Sequence, residues 1–112
     1  MIDWPVAELL PHAGDMILLD AVESFDADSI TTHLRVKSTG LLNLPDGSLP
    51  AWAGIEIMAQ TVAAFAGCQA RMVGQPVELG FLLGTRRFQC NVEHFPAGSQ
   101  LRIHALRSLQ DD

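Results

Sequence analysis

The sequence predicts an α+β domain in which an antiparallel sheet wraps one long helix. Three observations point there. Residues 51–73, AWAGIEIMAQTVAAFAGCQARMV, read as one helix of about 35 Å that is apolar on nearly every side, and such a helix is enclosed rather than laid on a surface. Residues 19–37 and 100–109 alternate apolar and polar side chains, the period of half-buried strands. Strands therefore lie on both sequence flanks of the helix, and two-layer packing then closes a sheet over it.

Taken in order, residues 1–12 open with one expected helical turn from Pro5 to Leu10, with Asp3 as its cap and Pro11 as its stop. Gly14 permits a turn, and the apolar run 16–19 should be buried. Two strands follow, LDAVESF and SITTHLRVK, joined by the polar turn DADS. In the second, Ile30, Thr32, Leu34 and Val36 share one face. Thr31, His33, Arg35 and Lys37 share the other, which should meet solvent. Residues 38–50 hold two Gly and two Pro and form a loop that feeds the helix. The free N–H groups at that helix start favour oxyanions. Pro50 suits the start, and Gly74 with Pro76 suits the end. Residues 79–90, LGFLLGTRRFQC, predict a strand with a bulge or close backbone approach at Gly80 and Gly84. A turn at FPAG, which takes in His94, precedes the last strand, where Leu101, Ile103 and Ala105, with Leu106 beside them, oppose Arg102, His104 and Arg107.

The 112 residues are expected to form one domain, 1–112, large enough for a real core. Hydrophobic residues make up 48% and charged residues 18%, too apolar for a disordered chain. Aromatics are few, Tyr is absent and the net charge is −6, which argues against a nucleic-acid surface. Cys68 and Cys90 stand alone, with no CxxC and no Cys/His cluster, and read as core thiols of a reducing compartment. No charged-then-apolar leader opens the chain. Glu56, Gln60, Gln69 and Arg71 interrupt the helix, and half its apolar content is Ala and Gly, so a cytoplasmic protein without stable membrane insertion is expected.

One acid, Glu56, lies in the second turn of this apolar helix, with Gln60 one turn later on the same face. A carboxylate there needs partners or a task. On this stretch alone two readings stand: a working acid, or a side chain that points to solvent or an interface and supports the first turn electrostatically. His12, at the joint between turn and apolar run, reads on its own as a satisfied structural residue.

Three pieces of the chain resemble a known family. They are LPHAGDMILLD at 10–20, P-x5-E-x-x-A-Q from Pro50 to Gln60, and RRFQCNVEHFPAGSQLRI at 86–103. They stand in the order and spacing of the 3-hydroxyacyl-acyl carrier protein dehydratases, whose hotdog fold wraps a curved sheet around one central helix. PAWAGIEIMAQ and GFLLGTRRF look closest to the branch encoded in aryl-polyene biosynthesis clusters.

The resemblance implies elimination of water from a 3-hydroxyacyl thioester, with no metal or organic cofactor. A base takes the proton next to the thioester carbonyl and an acid protonates the departing hydroxyl. Glu56 falls on the family's catalytic acid, and a buried setting would raise its pKa. The helix-start amides of Ala51, Trp52, Ala53 and Gly54 fall where the thioester oxygen is polarised, with Gln60 counted among the substrate-binding residues. Acyl carrier protein is the implied partner. It is acidic, as this chain is, so docking calls for a basic patch, for which Arg86 and Arg87, with Arg102 on the next strand, are the candidates. The family pairs subunits, so a homodimer or a heterodimer with a related hotdog subunit is expected.

Two departures qualify this. The usual dehydratases carry a histidine in H-F-P fourteen residues before the acid; here that count reaches Leu42, or Asn43 with one gap. Neither is a base. His12 is the leading substitute because its motif packs near the helix start in this fold; His33 and His94 rank behind it. A hotdog domain also normally continues beyond the strand at 100–109. An edge open there implies a shortened chain or a partner subunit that covers it. The rival readings are a non-catalytic hotdog subunit that stabilises a true dehydratase, and an acyl thioesterase using the same helix start.

Overall fold

Alternation in β2 (Ser29–Arg35) sets the sheet: Ile30, Thr32 and Leu34 are buried on one face, as their period requires. The computed structural model describes residues 3–10, 14–74 and 94–106. β2 is the middle strand, antiparallel to β1 (Ala21–Phe25) on one side and to β5 (Gln100–Leu106) on the other. The β1–β2 turn is closed by Asp26, whose carboxylate accepts the N–H groups of Asp28 and Ser29 and the Ser29 hydroxyl. Those bonds, the Asp28 N–H first, hold the Asp26 carboxyl below its ordinary value.

The long helix α1 spans Ala53–Met72 and packs on the inner face of this sheet. Its buried residues, Ala53, Ile57, Gln60, Thr61, Ala64 and Cys68 among them, recur every three or four positions, so one stripe meets the core. Thr61 joins helix to sheet: its hydroxyl donates to Ile57 O at 2.9 Å and meets the Thr32 hydroxyl at 2.9 Å. The opposite stripe corrects the expectation of enclosure on every side. Trp52, Ile55 and Met58 are 58, 45 and 43% exposed. The described strands cover one side of α1, and small residues let the sheet come close there.

Before the sheet, Val6–Glu8 form a short 3-10 turn, and no side chain caps it, so Asp3 does not take the expected role. Its end approaches α1 closely: a Cβ on Gly67 would overlap the carbonyl oxygen of Leu9. Only glycine permits that contact. β3 (Leu49–Pro50) and β4 (His94–Phe95) pair as a second, two-residue ladder immediately before α1.

The outer face of the sheet is less exposed than alternation predicts. Thr31 is buried and bonds His104 Nδ1 at 2.8 Å. His33, expected in solvent, is half-buried between Ala21 and Arg102 on the flanking strands, and its Nε2 has no hydrogen-bond partner among the described residues. The physical reason is position: a central strand has neighbours on both sides to cover its polar face. At the end of β5, Leu106 falls on the outer parity and is 72% exposed, so it leaves the apolar set. The predicted strand at 79–90, with Cys90, lies outside the described residues.

Candidate functional site

Glu56 sits in the first turn of α1, not the second as expected, because the helix starts at Ala53; it is half-buried, on the side shared with Gln60. Gln60 Nε2 donates to Glu56 Oε1 at 3.1 Å. The same amide reaches across to the segment after the 3-10 turn Gly14–Met16. Its Nε2 donates to Met16 O at 2.6 Å, and its Oε1 accepts the N–H groups of Leu18 at 2.8 Å and Leu19 at 3.4 Å. Gln60 is fully buried and every bond it makes goes to the chain itself. This tether was not legible from residue type alone. The signal was the i, i+4 pairing of an acid and an amide on an apolar helix.

The loop at 38–48 delivers the chain to the helix start. Asn43, the position reached when the missing histidine is sought with one gap, is an architectural residue. Its Nδ2 donates to Lys37 O at 2.8 Å and Gly47 O at 2.7 Å. Gly47 turns with φ +87°, a left-handed conformation that side chains resist. Leu42 is half-buried against the core. Asp46 accepts the Ser48 hydroxyl at 2.6 Å and the Ser48 N–H at 2.9 Å, and these bonds, the hydroxyl first, hold its carboxyl low, with the charge of His94 adding to the effect.

At the helix start, Ala53 and Gly54 are buried, Ala51 is half-buried and Trp52 is exposed. The Gly54 N–H already donates to Ala51 O at 2.9 Å, and that of Ile55 to Trp52 O at 3.1 Å. The expected amide set is therefore narrower. Of the four, Ala51, Trp52 and Ala53 have N–H groups for which no acceptor is found among the described residues. His94 is on β4, paired with Pro50, and not in a turn as expected; it is exposed. His33 points away from α1, since Thr32 beside it bonds Thr61, so the sheet separates it from Glu56. An open groove of about 490 Å³, lined by both charged and apolar residues, among them Asp20, Glu23, His33, Leu101 and Arg102, does not include Glu56. Arg102 is also not a bare cation: its Nε donates to Glu23 Oε2 at 2.9 Å. His12, Arg86 and Arg87 lie outside the described residues. Among the described residues no group of acidic, Cys or His side chains could hold a metal ion, and no helix is long and apolar enough to cross a membrane.

An antiparallel sheet packed on one long helix, with an acid in the helix's first turn and an irregular loop leading to its start, is the hotdog architecture. The sequence matches the ApeP-like family, described as ApeP dehydratase, over residues 4–112. The solved structure of the dehydratase heterocomplex ApeI:P from Xenorhabdus doucetiae contains a similar chain. It is 34% identical with a TM-score of 0.87, over 97% of this chain and 74% of that one. No curated protein matches. The chain belongs to the ApeP-like dehydratase family.

Proposed function

We propose that this chain serves the dehydration of 3-hydroxyacyl thioesters on acyl carrier protein to trans-2-enoyl thioesters, in fatty-acid or aryl-polyene synthesis. The observation that carries the reading is the family match over residues 4–112 together with Glu56, an acid held in the first turn of α1 beside the segment 16–19. In the reaction a Cα–H bond breaks, its electron pair forms the double bond, and the C–O bond to the hydroxyl breaks as that oxygen gains a proton and leaves as water. Glu56 supplies the proton to the departing oxygen, and His12 is the base at Cα. The N–H groups of Ala51, Trp52 and Ala53 are the donors for the thioester oxygen, whose charge grows in the transition state.

A second reading has a specific observation behind it. Trp52, Ile55 and Met58 form an exposed apolar stripe that flanks Glu56 on α1, and the similar solved chain is part of a heterocomplex. Exposed apolar surface next to a site fits a protein partner. The chain then works with a related hotdog subunit, either contributing Glu56 or supporting a partner that carries the chemistry.

One assay separates the readings. The purified chain, alone and with a related hotdog subunit, is incubated with 3-hydroxyacyl carrier protein, and the product is read by mass spectrometry. Loss of water that vanishes in Glu56→Gln supports the first reading. Loss of water that needs the partner and survives Glu56→Gln supports the non-catalytic role. Free acid would instead make the protein a thioesterase.

A further inference from the structure

We propose that Gln60 is a positioning residue for Glu56: one buried amide fixes both the carboxylate and the segment 16–19 against each other. The proposal rests on the reading of Glu56 as the acid of the site. The geometry makes the amide's orientation unambiguous. Leu18 and Leu19 both present N–H groups, which must meet an oxygen, so Gln60 Oε1 faces them and the NH₂ faces the other way. That NH₂ then meets two acceptors, Met16 O and Glu56 Oε1. A flipped amide would set donor against donor at Leu18 and Leu19, and oxygen against oxygen at Met16. The orientation is thus imposed by the backbone of one segment and delivered to the carboxylate of another element.

A tether alone would not need this arrangement. Binding segment 16–19 to α1 uses the amide oxygen and one N–H; the second N–H is directed at the carboxylate one helical turn away. A donor on one carboxylate oxygen fixes the plane of the group, which is what directional proton transfer requires.

Two variants separate positioning from mere packing, with the partner subunit present where turnover requires it. Gln60→Met keeps the shape and removes every hydrogen bond. It is expected to speed amide exchange at Leu18 and Leu19 at least about 10-fold and to lower kcat far more than it changes KM. Gln60→Glu keeps an acceptor for Leu18 and Leu19 but sets a second carboxyl against Glu56. Two carboxyls so close share a proton, so the pH profile of kcat/KM is expected to move to higher pH by about one unit or more. A folded Gln60→Glu protein whose profile does not move overturns the proposal, as does Gln60→Met with parental kcat. If the parent shows no turnover at all, the dehydratase reading fails separately. The carbon-13 signal of the Glu56 carboxyl, assigned through Glu56→Gln, then decides: a titration displaced to higher pH in Gln60→Glu sustains the coupling, and an undisplaced one ends it.

Discussion

The N-terminal half of α1 buries polar chemistry, whereas its C-terminal half buries almost none. In the first half, Glu56, Gln60 and Thr61 all carry polar atoms toward the protein, and each is met by a specific donor or acceptor. In the second, Ala64, Gly67 and Cys68 present small surfaces, and the chain of Leu9 lies directly on Gly67. Polar side chains in that half, Gln69 and Arg71, stay at the rim. Gln69 Nε2 donates to Asp26 O at 2.7 Å; Arg71 donates to Glu8 at 2.9 Å and stands 5.0 Å from the centroid of the Trp4 ring. The difference teaches a division of labour within one helix. Buried hydrogen-bonded networks are expensive to leave incomplete, and here the network ends on Glu56, the acid of the proposed site. Close backbone packing is the cheaper way to hold the other end.

The largest effect expected from this division is on activity without stability. Glu56→Gln keeps the shape and still offers an oxygen to Gln60. It is expected to lower kcat by at least about 10²-fold, the scale of a lost general acid, while unfolding free energy changes by less than about 1 kcal/mol. Activity within a few-fold of the parent in a steady-state assay would remove the functional half of the comparison.

Gly67→Ala should do the reverse. Its Cβ would overlap the Leu9 carbonyl, a backbone atom that cannot rotate aside, so either α1 or the N-terminal turn must shift. Overpacking of this kind typically destabilises by about 1–3 kcal/mol, readable in a urea unfolding curve. Because Gly67 is three turns from Glu56, kcat/KM of the folded fraction should stay near that of the parent. A large loss of turnover with unchanged stability would show the two halves to be coupled.

How far the sequence carries this picture follows from what periodicity can see. Period-two alternation placed Ile30, Thr32 and Leu34 correctly, and the run of apolar residues placed α1 within two residues of its start. Both are properties of a single element. The errors are properties of neighbours. His33 is half-buried because β1 and β5 flank it, and the Trp52–Ile55–Met58 stripe is exposed because the described strands cover the other side. Asn43 could be excluded as a base from its chemistry. Its structural role needed the positions of Lys37 O and Gly47 O, which no local pattern encodes. The sequence puts Gln60 on the face of Glu56, but three of its four bonds depend on a segment more than forty residues away.

The smallest expected effect gives the finest reading of the closed half. Cys68 is fully buried beside Gly67, and burial pushes its thiol up from 9.0 to about 11, against the opposing charge of Arg71. A raised value means that the neutral form is favoured by folding. The contribution is complete below pH 9.0 and is lost as pH rises towards about 11, so stability should decline slightly over that window. At pH 8 the thiol is both neutral and covered, and alkylation must wait for the C-terminal half of α1 to open. In a Cys90→Ser background Cys68 is the single thiol, and its labelling rate reports that opening. Gly67→Ala should speed labelling about 5–30-fold if it destabilises by 1–2 kcal/mol. Glu56→Gln, acting in the other half, should leave the rate within about twofold, a change of less than about 0.5 kcal/mol. Labelling of the parent as fast as that of a small free thiol would mean that this half is not closed. Equal acceleration by both substitutions would mean that α1 opens as one unit, and the two halves would then differ in chemistry but not in stability.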